Sequence, residues 1–89
     1  TQEINDDDTD IIEGELIMRD GSRQELNDTH LKHVMSGMNT HDFIHKLEHS
    51  SNEQVEGLSL GFIHKGEYIS RDFSREDKID IKLKCQNQV

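Results

Sequence analysis

One stretch of the chain, residues 27–49, carries the clearest helical spacing in the sequence, and it constrains the fold more than any other feature. In its first half, four apolar side chains recur at i, i+3, i+4 and i+7, the spacing that lines one face of a helix: Leu31, Val34, Met35 and Met38. This spacing predicts a helix over residues 28–38. Asn27 or Asp28 can cap the helix, because either side chain can accept a hydrogen bond from an unpaired N–H group of the first turn.

The second half of this stretch predicts a shorter helix that begins at Asn39 or Thr40 and ends near His49. Asn and Thr both favour the N-cap position, and Gly37 weakens the last turn of the preceding helix. The apolar side chains of the second helix are Phe43, Ile44 and Leu47. Two short helices with a tight break between them are therefore expected.

Alternation of apolar and polar residues predicts strands on both sides of the helices. The first strand begins at Ile11. Its apolar face is expected to carry Ile12, Leu16 and Met18. Asp20-Gly21 is a hairpin signal, because Gly readily adopts the positive φ of a tight turn. A three-residue loop that starts at Asp20 would place Leu26, in a short second strand, opposite Leu16.

After the helices, residues 55–64 alternate regularly between large and small side chains. One face carries Leu58, Leu60 and Phe62, and the other carries Gly57, Ser59 and Gly61. A two-residue turn at Lys65-Gly66 would then set up two apolar pairs across a hairpin, Phe62 with Ile69 and Leu58 with Phe73. Turn length and side-chain pattern thus predict the same register.

A further alternation in residues 78–85 predicts a third strand after this hairpin, with Ile79, Ile81, Leu83 and Cys85 on its apolar side. The predicted fold class is α+β: a small antiparallel sheet, made of an N-terminal hairpin and a C-terminal three-strand meander, with the two helices packed on one face. Residues 11–85 are expected to form a single domain. Residues 1–10 are expected to be a disordered acidic tail, and residues 86–89 a frayed end.

The net charge of −9 is unevenly distributed along the chain. Residues 1–28 contain ten Asp and Glu against Arg19 and Arg23, a balance of −8, whereas residues 29–89 contain nine acids and eight bases, a balance of −1. A surface of this sign repels nucleic-acid phosphate and attracts basic surfaces. Acidic termini also occur for solubility alone.

The charge asymmetry favours a small acidic protein-binding module that occupies a basic, nucleic-acid-binding surface of another protein, such as a nuclease, repressor or polymerase. Such an inhibitor would act as a nucleic-acid mimic and would not bind nucleic acid directly. The absence of Ala, Pro and Trp hints at an AT-rich source such as a phage or a mobile element. The expected partner-binding residues are Asp6, Asp7, Asp8, Asp10, Glu13, Glu15, Asp20, Glu25 and Asp28.

Histidine is the other notable residue type, because five of the six lie within residues 27–49. His41, His45 and His49 recur every four residues, so they are expected in a row on one face of the second helix. Two imidazoles at i and i+4 can bind Zn²⁺, Ni²⁺ or Cu²⁺, which makes these three the candidate ligands of a His-rich metal-binding protein, and the same imidazoles would gain charge on mild acidification. A solvent-facing polar helix face explains the row better, because neither a cysteine nor an HExxH pattern joins the histidines, so no metal or other cofactor is predicted.

The sequence also bears on three other functions. Two short helices followed by a hairpin match the outline of a winged helix-turn-helix DNA-binding regulator, but Lys46 is the only fixed positive charge of the second helix. The sheet edge and the Met-rich helix face could instead form a structural homodimer. No catalytic motif occurs and Cys85 is predicted to face inward, so an enzyme is not expected.

The sequence also predicts where the protein resides. It contains no apolar run long enough to cross a bilayer and no charged-then-apolar leader, so neither membrane insertion nor secretion is expected. A single cysteine excludes an internal disulfide and fits the reducing cytoplasm.

Overall fold

The computed structural model describes residues 9–86 and shows an α+β fold built on one antiparallel sheet. Its elements are, in chain order, β1 (Thr9–Met18), β2 (Arg23–Glu25), α1 (Asp28–Met35), α2 (Thr40–Ser51), β3 (Val55–His64), β4 (Glu67–Ser74) and α3 (Ile81–Gln86). The strands lie in the order β2-β1-β3-β4, so β1 and β3 form the centre of the sheet.

The hydrophobic core lies on one side of the sheet, between the sheet and the helices. The inward side chains of β3, Leu58, Leu60 and Phe62, are almost completely buried. The helices cover them with Val34, Phe43, Ile44, Ile81 and Cys85. Since burial of each large apolar side chain contributes about 1.5–3 kcal/mol, this one-sided core is the main source of stability.

The predicted hairpin of β3 and β4 is confirmed. Lys65 and Gly66 form its two-residue turn, with φ values of 52° and 82°. Positive φ at both turn positions gives a twist that matches the flanking strands. Both predicted pairs form, Phe62 with Ile69 and Leu58 with Phe73.

Both predicted helices are present, and Asn27 and Asn39 are their N-caps. The side chain of each asparagine accepts the backbone N–H three residues later, at 2.9 and 2.8 Å. Helix α1 ends at Met35, three residues earlier than predicted, because Gly37 has a φ of 98° that no helix continues through. Met35 is consequently 39% exposed and does not join the buried face as predicted.

A β-bulge corrects the predicted apolar face of β1. Ile11 and Glu13 pair with adjacent residues of β3, so Ile12 between them has no partner. The extra residue reverses the side-chain alternation: Ile11 is buried and Ile12 is 46% exposed, opposite to the prediction. Assigning faces in steps of two residues backward from Leu16 gives the wrong face for residues that precede such an insertion.

The hairpin of β1 and β2 is present, but its predicted register is wrong. The loop begins one residue earlier than predicted, so Leu26 lies across from Gly14 instead of Leu16, and its N–H donates to the Gly14 carbonyl at 2.9 Å. A Cβ atom on Gly14 would lie 2.6 Å from Cδ1 of Leu26, so the glycine leaves the space that Leu26 fills. Because the register shifts by two residues, Leu26 still points inward and is buried.

The predicted third strand of the meander is wrong, because Ile81–Gln86 form helix α3. The Asp80 carboxylate accepts the N–H groups of the residues two and three positions later, at 2.9 and 3.2 Å, and so caps the first turn. Ile81 and Cys85 face the core, while Leu83 is 49% exposed. Alternation at every second position contains this i, i+4 pair, which explains why the pattern resembled a strand.

The predicted domain limits are only partly described by the structure. Residues 1–8 of the predicted tail, and residues 87–89, lie outside the described residues. Strand β1 begins at Thr9, whose hydroxyl lies 2.7 Å from Nδ1 of His64. Gln86 is the last residue of α3.

Glu48, near the end of α2, joins three segments of the fold. Its carboxylate accepts the N–H of Val55 at 2.8 Å and the guanidinium of Arg75 at 2.7 and 3.1 Å, and Arg75 also donates to the Val55 carbonyl at 2.5 Å. The Arg75 hydrogen bond, followed by that of Val55, lowers the pKa of Glu48 from 4.5 to about 2. The end of α2, the start of β3 and the segment after β4 are thereby held together.

Acid should weaken this contact over a defined range. Ionised Glu48 stabilises the fold above pH 4.5, and this contribution is lost as the pH falls to about 2, because the folded pKa lies below the usual value. Glu48→Gln should therefore lower the free energy of unfolding near neutral pH and reduce its pH dependence in this range, as measured by urea denaturation. Arg75→Gln should reduce this pH dependence only in part, since the Glu48 carboxylate still accepts the Val55 N–H. A Glu48→Gln variant as acid-sensitive as wild type would contradict this role.

Candidate functional site

The side of the sheet opposite the helices is uncovered, and we call it the open face. Its outward side chains are Asp10, Glu13, Glu15 and Ile17 of β1, Arg23 and Glu25 of β2, Gly57, Ser59, Gly61 and Ile63 of β3, and Tyr68, Ser70, Asp72 and Ser74 of β4. Within residues 9–86, five of these are carboxylates and one is a cation. The open face is therefore strongly acidic.

A shallow groove of about 250 Å³ crosses the middle of the open face. Its floor is the small-residue row of β3, where Ser59 is partly exposed and Gly61 is buried beneath Tyr68 and Glu13. Its walls are formed by Glu13, Glu15, Arg23, Glu25 and Tyr68. The groove thus brings three carboxylates together above a floor of small residues.

Two glutamates of the groove face each other across β1 and β2. Glu15 pairs directly with Glu25, and the flanking N–H of Leu26 bonds to Gly14, so the glutamates form a non-hydrogen-bonded pair. Side chains approach most closely in such pairs, and like charges there destabilise the sheet. Arg23 lies 3.1 Å from Glu15, but both side chains are about half exposed, so this ion pair offsets little of the repulsion.

Tyr68 reaches across β3 to a carboxylate on β1. Its hydroxyl donates to Oε2 of Glu13 at 2.5 Å. Gly61 lies beneath this contact, and a Cβ atom there would collide with both side chains. The hydrogen bond to Glu13 is the main cause that raises the pKa of Tyr68 above 10.0, with desolvation and the Glu13 charge adding to it.

The structure gathers some of the predicted partner-binding residues and separates others. Asp10, Glu13, Glu15 and Glu25 share the open face. Asp20 lies in the β1–β2 turn, where its carboxylate accepts the N–H of Ser22 at 2.9 Å and the hydroxyl of Ser22 at 2.7 Å. The bond from the hydroxyl is the larger cause, and the bond from the N–H the second, that lowers the pKa of Asp20. Asp28 is the first residue of α1. Asp6, Asp7 and Asp8 lie outside the described residues.

Sequence reasoning missed two members of the open face, Asp72 and Tyr68. Asp72 pairs with Ser59, and Tyr68 pairs with Ile63. The predicted register of this hairpin already placed both on the side opposite Phe62. The alternation of β4 is therefore the signal that places Tyr68 and Asp72 on the face opposite Ile69 and Phe73.

The histidine row forms as predicted on α2, with neighbouring rings stacked. The centroids of His41 and His45 are 6.2 Å apart and those of His45 and His49 6.5 Å apart, with planes inclined by 21° and 23°. Nδ1 of His41 also lies 3.3 Å from the Asp42 carboxylate. In the part of the chain that the structure describes, no group of three or more His, Cys, Asp or Glu is arranged to hold a metal ion.

Two other candidate sites have little chemical support. Glu48 of α2 is paired with Arg75, and Lys46 is the fixed cation of α2, so this helix has few groups that suit a DNA-recognition role. Burial raises the pKa of the Cys85 thiol to about 11, which makes it a poor nucleophile at neutral pH.

Comparison with models of protein families, with curated proteins and with solved structures finds no match to this chain. Between Thr9 and Gln86, no helix has the length and apolar character that crossing a bilayer requires.

The contact between Tyr68 and Glu13 can be tested by titration. The chain has one tyrosine and no tryptophan, so the absorbance of the phenolate reports Tyr68 alone. The pKa of Tyr68 should lie above 10.0 and should fall towards that value in Glu13→Gln, because the neutral amide no longer disfavours the phenolate. Glu25→Gln, also in the groove, should leave it raised. An equal pKa in wild type and Glu13→Gln would show that the contact is absent in solution.

Proposed function

We propose that the protein is an acidic binding module whose open face occupies a basic, nucleic-acid-binding surface of another protein, such as a nuclease, repressor or polymerase. The observation that supports this most is the sharing of one uncovered face by Asp10, Glu13, Glu15, Glu25 and Asp72, with Arg23 as the cation among them. In this proposal the protein is an inhibitor of phage or mobile-element type that competes with nucleic acid.

The spacing of these carboxylates supports the proposal. Outward residues two apart on one strand are roughly 7 Å apart, and directly paired residues on neighbouring strands are about 5 Å apart. Both distances are shorter than the Debye length of about 8 Å at physiological ionic strength, so the fields of the charges add. A field of this kind speeds association with a cationic surface and repels nucleic acid.

The energetics of the face favour the same proposal. The Glu15–Glu25 pairing costs stability, and natural sequences tend to keep such local conflicts at functional positions. Binding of a cationic side chain between the two carboxylates would relieve the repulsion. The strands also hold the charges on a rigid scaffold, which lowers the entropic cost of association.

The cellular location that fits this function is the cytoplasm, where proteins that bind nucleic acid are accessible. The buried thiol of Cys85 is consistent with a reducing compartment, because the chain has no second cysteine with which it could form an internal disulfide.

The proposal is tested with two triple variants that change the net charge equally. The face variant is Glu13→Gln/Glu15→Gln/Glu25→Gln. The control is Asp42→Asn/Glu53→Gln/Glu76→Gln, whose exposed carboxylates lie off the open face. Tagged wild-type protein should capture a basic protein from lysate at low salt and release it at high salt. The face variant should bind the purified partner at least about tenfold more weakly, and the control should bind within about twofold of wild type.

A competition experiment decides whether the partner's nucleic-acid-binding surface is the one occupied. Stoichiometric wild-type protein should displace a labelled DNA or RNA duplex from the purified partner, and the face variant should not. Equal loss of binding in both triple variants would contradict a localised site. A stable ternary complex of protein, partner and nucleic acid would contradict competition.

A further inference from the structure

The outer edge of β4 is a free sheet edge. The strand order ends at β4, and no strand within residues 9–86 pairs with its outer side. A two-residue turn closes with a hydrogen-bonded pair, here His64 and Glu67, and such pairs then alternate along the unshifted ladder. The N–H and C=O groups of Tyr68, Ser70 and Asp72 therefore point away from β3 and are available to another strand.

This edge lacks the features that usually prevent strands from pairing. Strand β4 has eight residues, contains no proline and shows no register shift against β3. Exposed edges are commonly protected by proline, bulges, lysines or inward-pointing charges. Two charges of β4 lie on its inward side: Glu67 is exposed beside the turn, and Arg71 donates to the Lys84 carbonyl at 3.0 Å and is held against α3. The backbone edge itself stays accessible.

We propose that β4 pairs with β4 of a second copy of this chain, antiparallel and with the two-fold axis at Ser70. This register pairs all seven residues from 67 to 73 in each copy. It places Tyr68 opposite Asp72 of the second copy and Ile69 opposite Arg71 of the second copy, so no like charges face each other. Glu67 becomes a diagonal neighbour of the opposite Arg71, which adds an attractive pair.

The alternative two-fold registers are less favourable. A two-fold axis at Arg71 or at Asp72 would place two identical charges directly opposite each other, which is destabilising. An axis at Ile69 would pair only residues 67–71 before the hairpin turn begins. The register centred on Ser70 therefore combines the longest pairing with compatible charges.

The same pairing ends the assembly at two copies. After it, the free edge at each end is β2, which has three residues, all exposed and polar, together with residues 9–13 of β1, which β2 does not reach and which contain the bulge at Ile12. The repelling Glu15 and Glu25 lie at that edge, so a further chain would bring more negative charge to it. The result is a closed dimer with one eight-stranded sheet and two adjacent open faces, and it does not depend on the proposed function.

Sedimentation equilibrium of the full chain tests the proposal without any partner. The wild-type protein should show a reversible monomer–dimer equilibrium. Ser70→Pro should be monomeric with its circular dichroism unchanged, because the N–H it removes points away from β3 and the ring blocks the edge. Ser70→Lys should weaken dimerisation at least about tenfold by placing two charges at the two-fold axis. Ser50→Lys adds the same charge on α2 and should dimerise like wild type.

Cross-linking tests the register. Cα atoms of a hydrogen-bonded antiparallel pair are about 5.5 Å apart, within the range of a disulfide, so Ser70→Cys should give a covalent dimer under mild oxidation. Ser74→Cys, opposite Gly66 of the second copy, should not. Monomeric wild-type protein up to about 1 mM would overturn the proposal, as would a dimer unaffected by Ser70→Lys. If Ser70→Pro does not fold, Ser70→Lys decides the outcome.

Discussion

The pairing of β1 with β3 is the constraint on which the rest of the structure depends. It joins two hairpins that are separated in sequence by α1 and α2, and it sets which side of each strand faces the core. The bulge at Ile12 brings Ile11 into that core, and Gly14 makes room for Leu26. Three of the four outward residues of β3 are small, so the opposite side of the sheet has few apolar side chains to bury, chiefly Ile17, Ile63 and Tyr68. One face is therefore closed by helices, and the other stays open.

This division gives the acidic residues different roles. Glu48 binds Arg75 and the Val55 N–H, and Asp77 pairs with Lys84, so these carboxylates stabilise the fold. Asp20 and Asp80 organise a turn and a helix start. The carboxylates of the open face have few cationic partners and in one case face each other directly. Hydration makes such crowding tolerable in the free protein, and a cationic surface would make it favourable.

The sequence predicts the fold where two independent signals agree. Turn chemistry and alternation both specify the β3–β4 register, and capping residues and helical spacing both specify α2. Prediction fails at α3 because the spacing of Ile81 and Cys85 fits a strand and a helix alike. It fails at Ile12 because a bulge interrupts the alternation of β1 and reverses the face of that residue. Clustering of Glu13, Glu15 and Glu25 could be expected from charge and strand register. Asp72 joins these glutamates on the open face because β3 lies between β1 and β4 in the sheet. Local sequence patterns do not encode this strand order.

Within residues 9–86, we expect the open face to be the most negative surface. Paramagnetic relaxation of backbone amide protons by a cationic and an anionic cosolute measures the local potential residue by residue, because each cosolute concentrates where the field attracts it. The relaxation enhancement by the cationic cosolute, divided by that of the anionic cosolute, should be highest at the amides of Ser59, Gly61 and Glu25. This ratio should be lower along α1 and α2. A ratio on the helices equal to or above that of the open face would contradict the account.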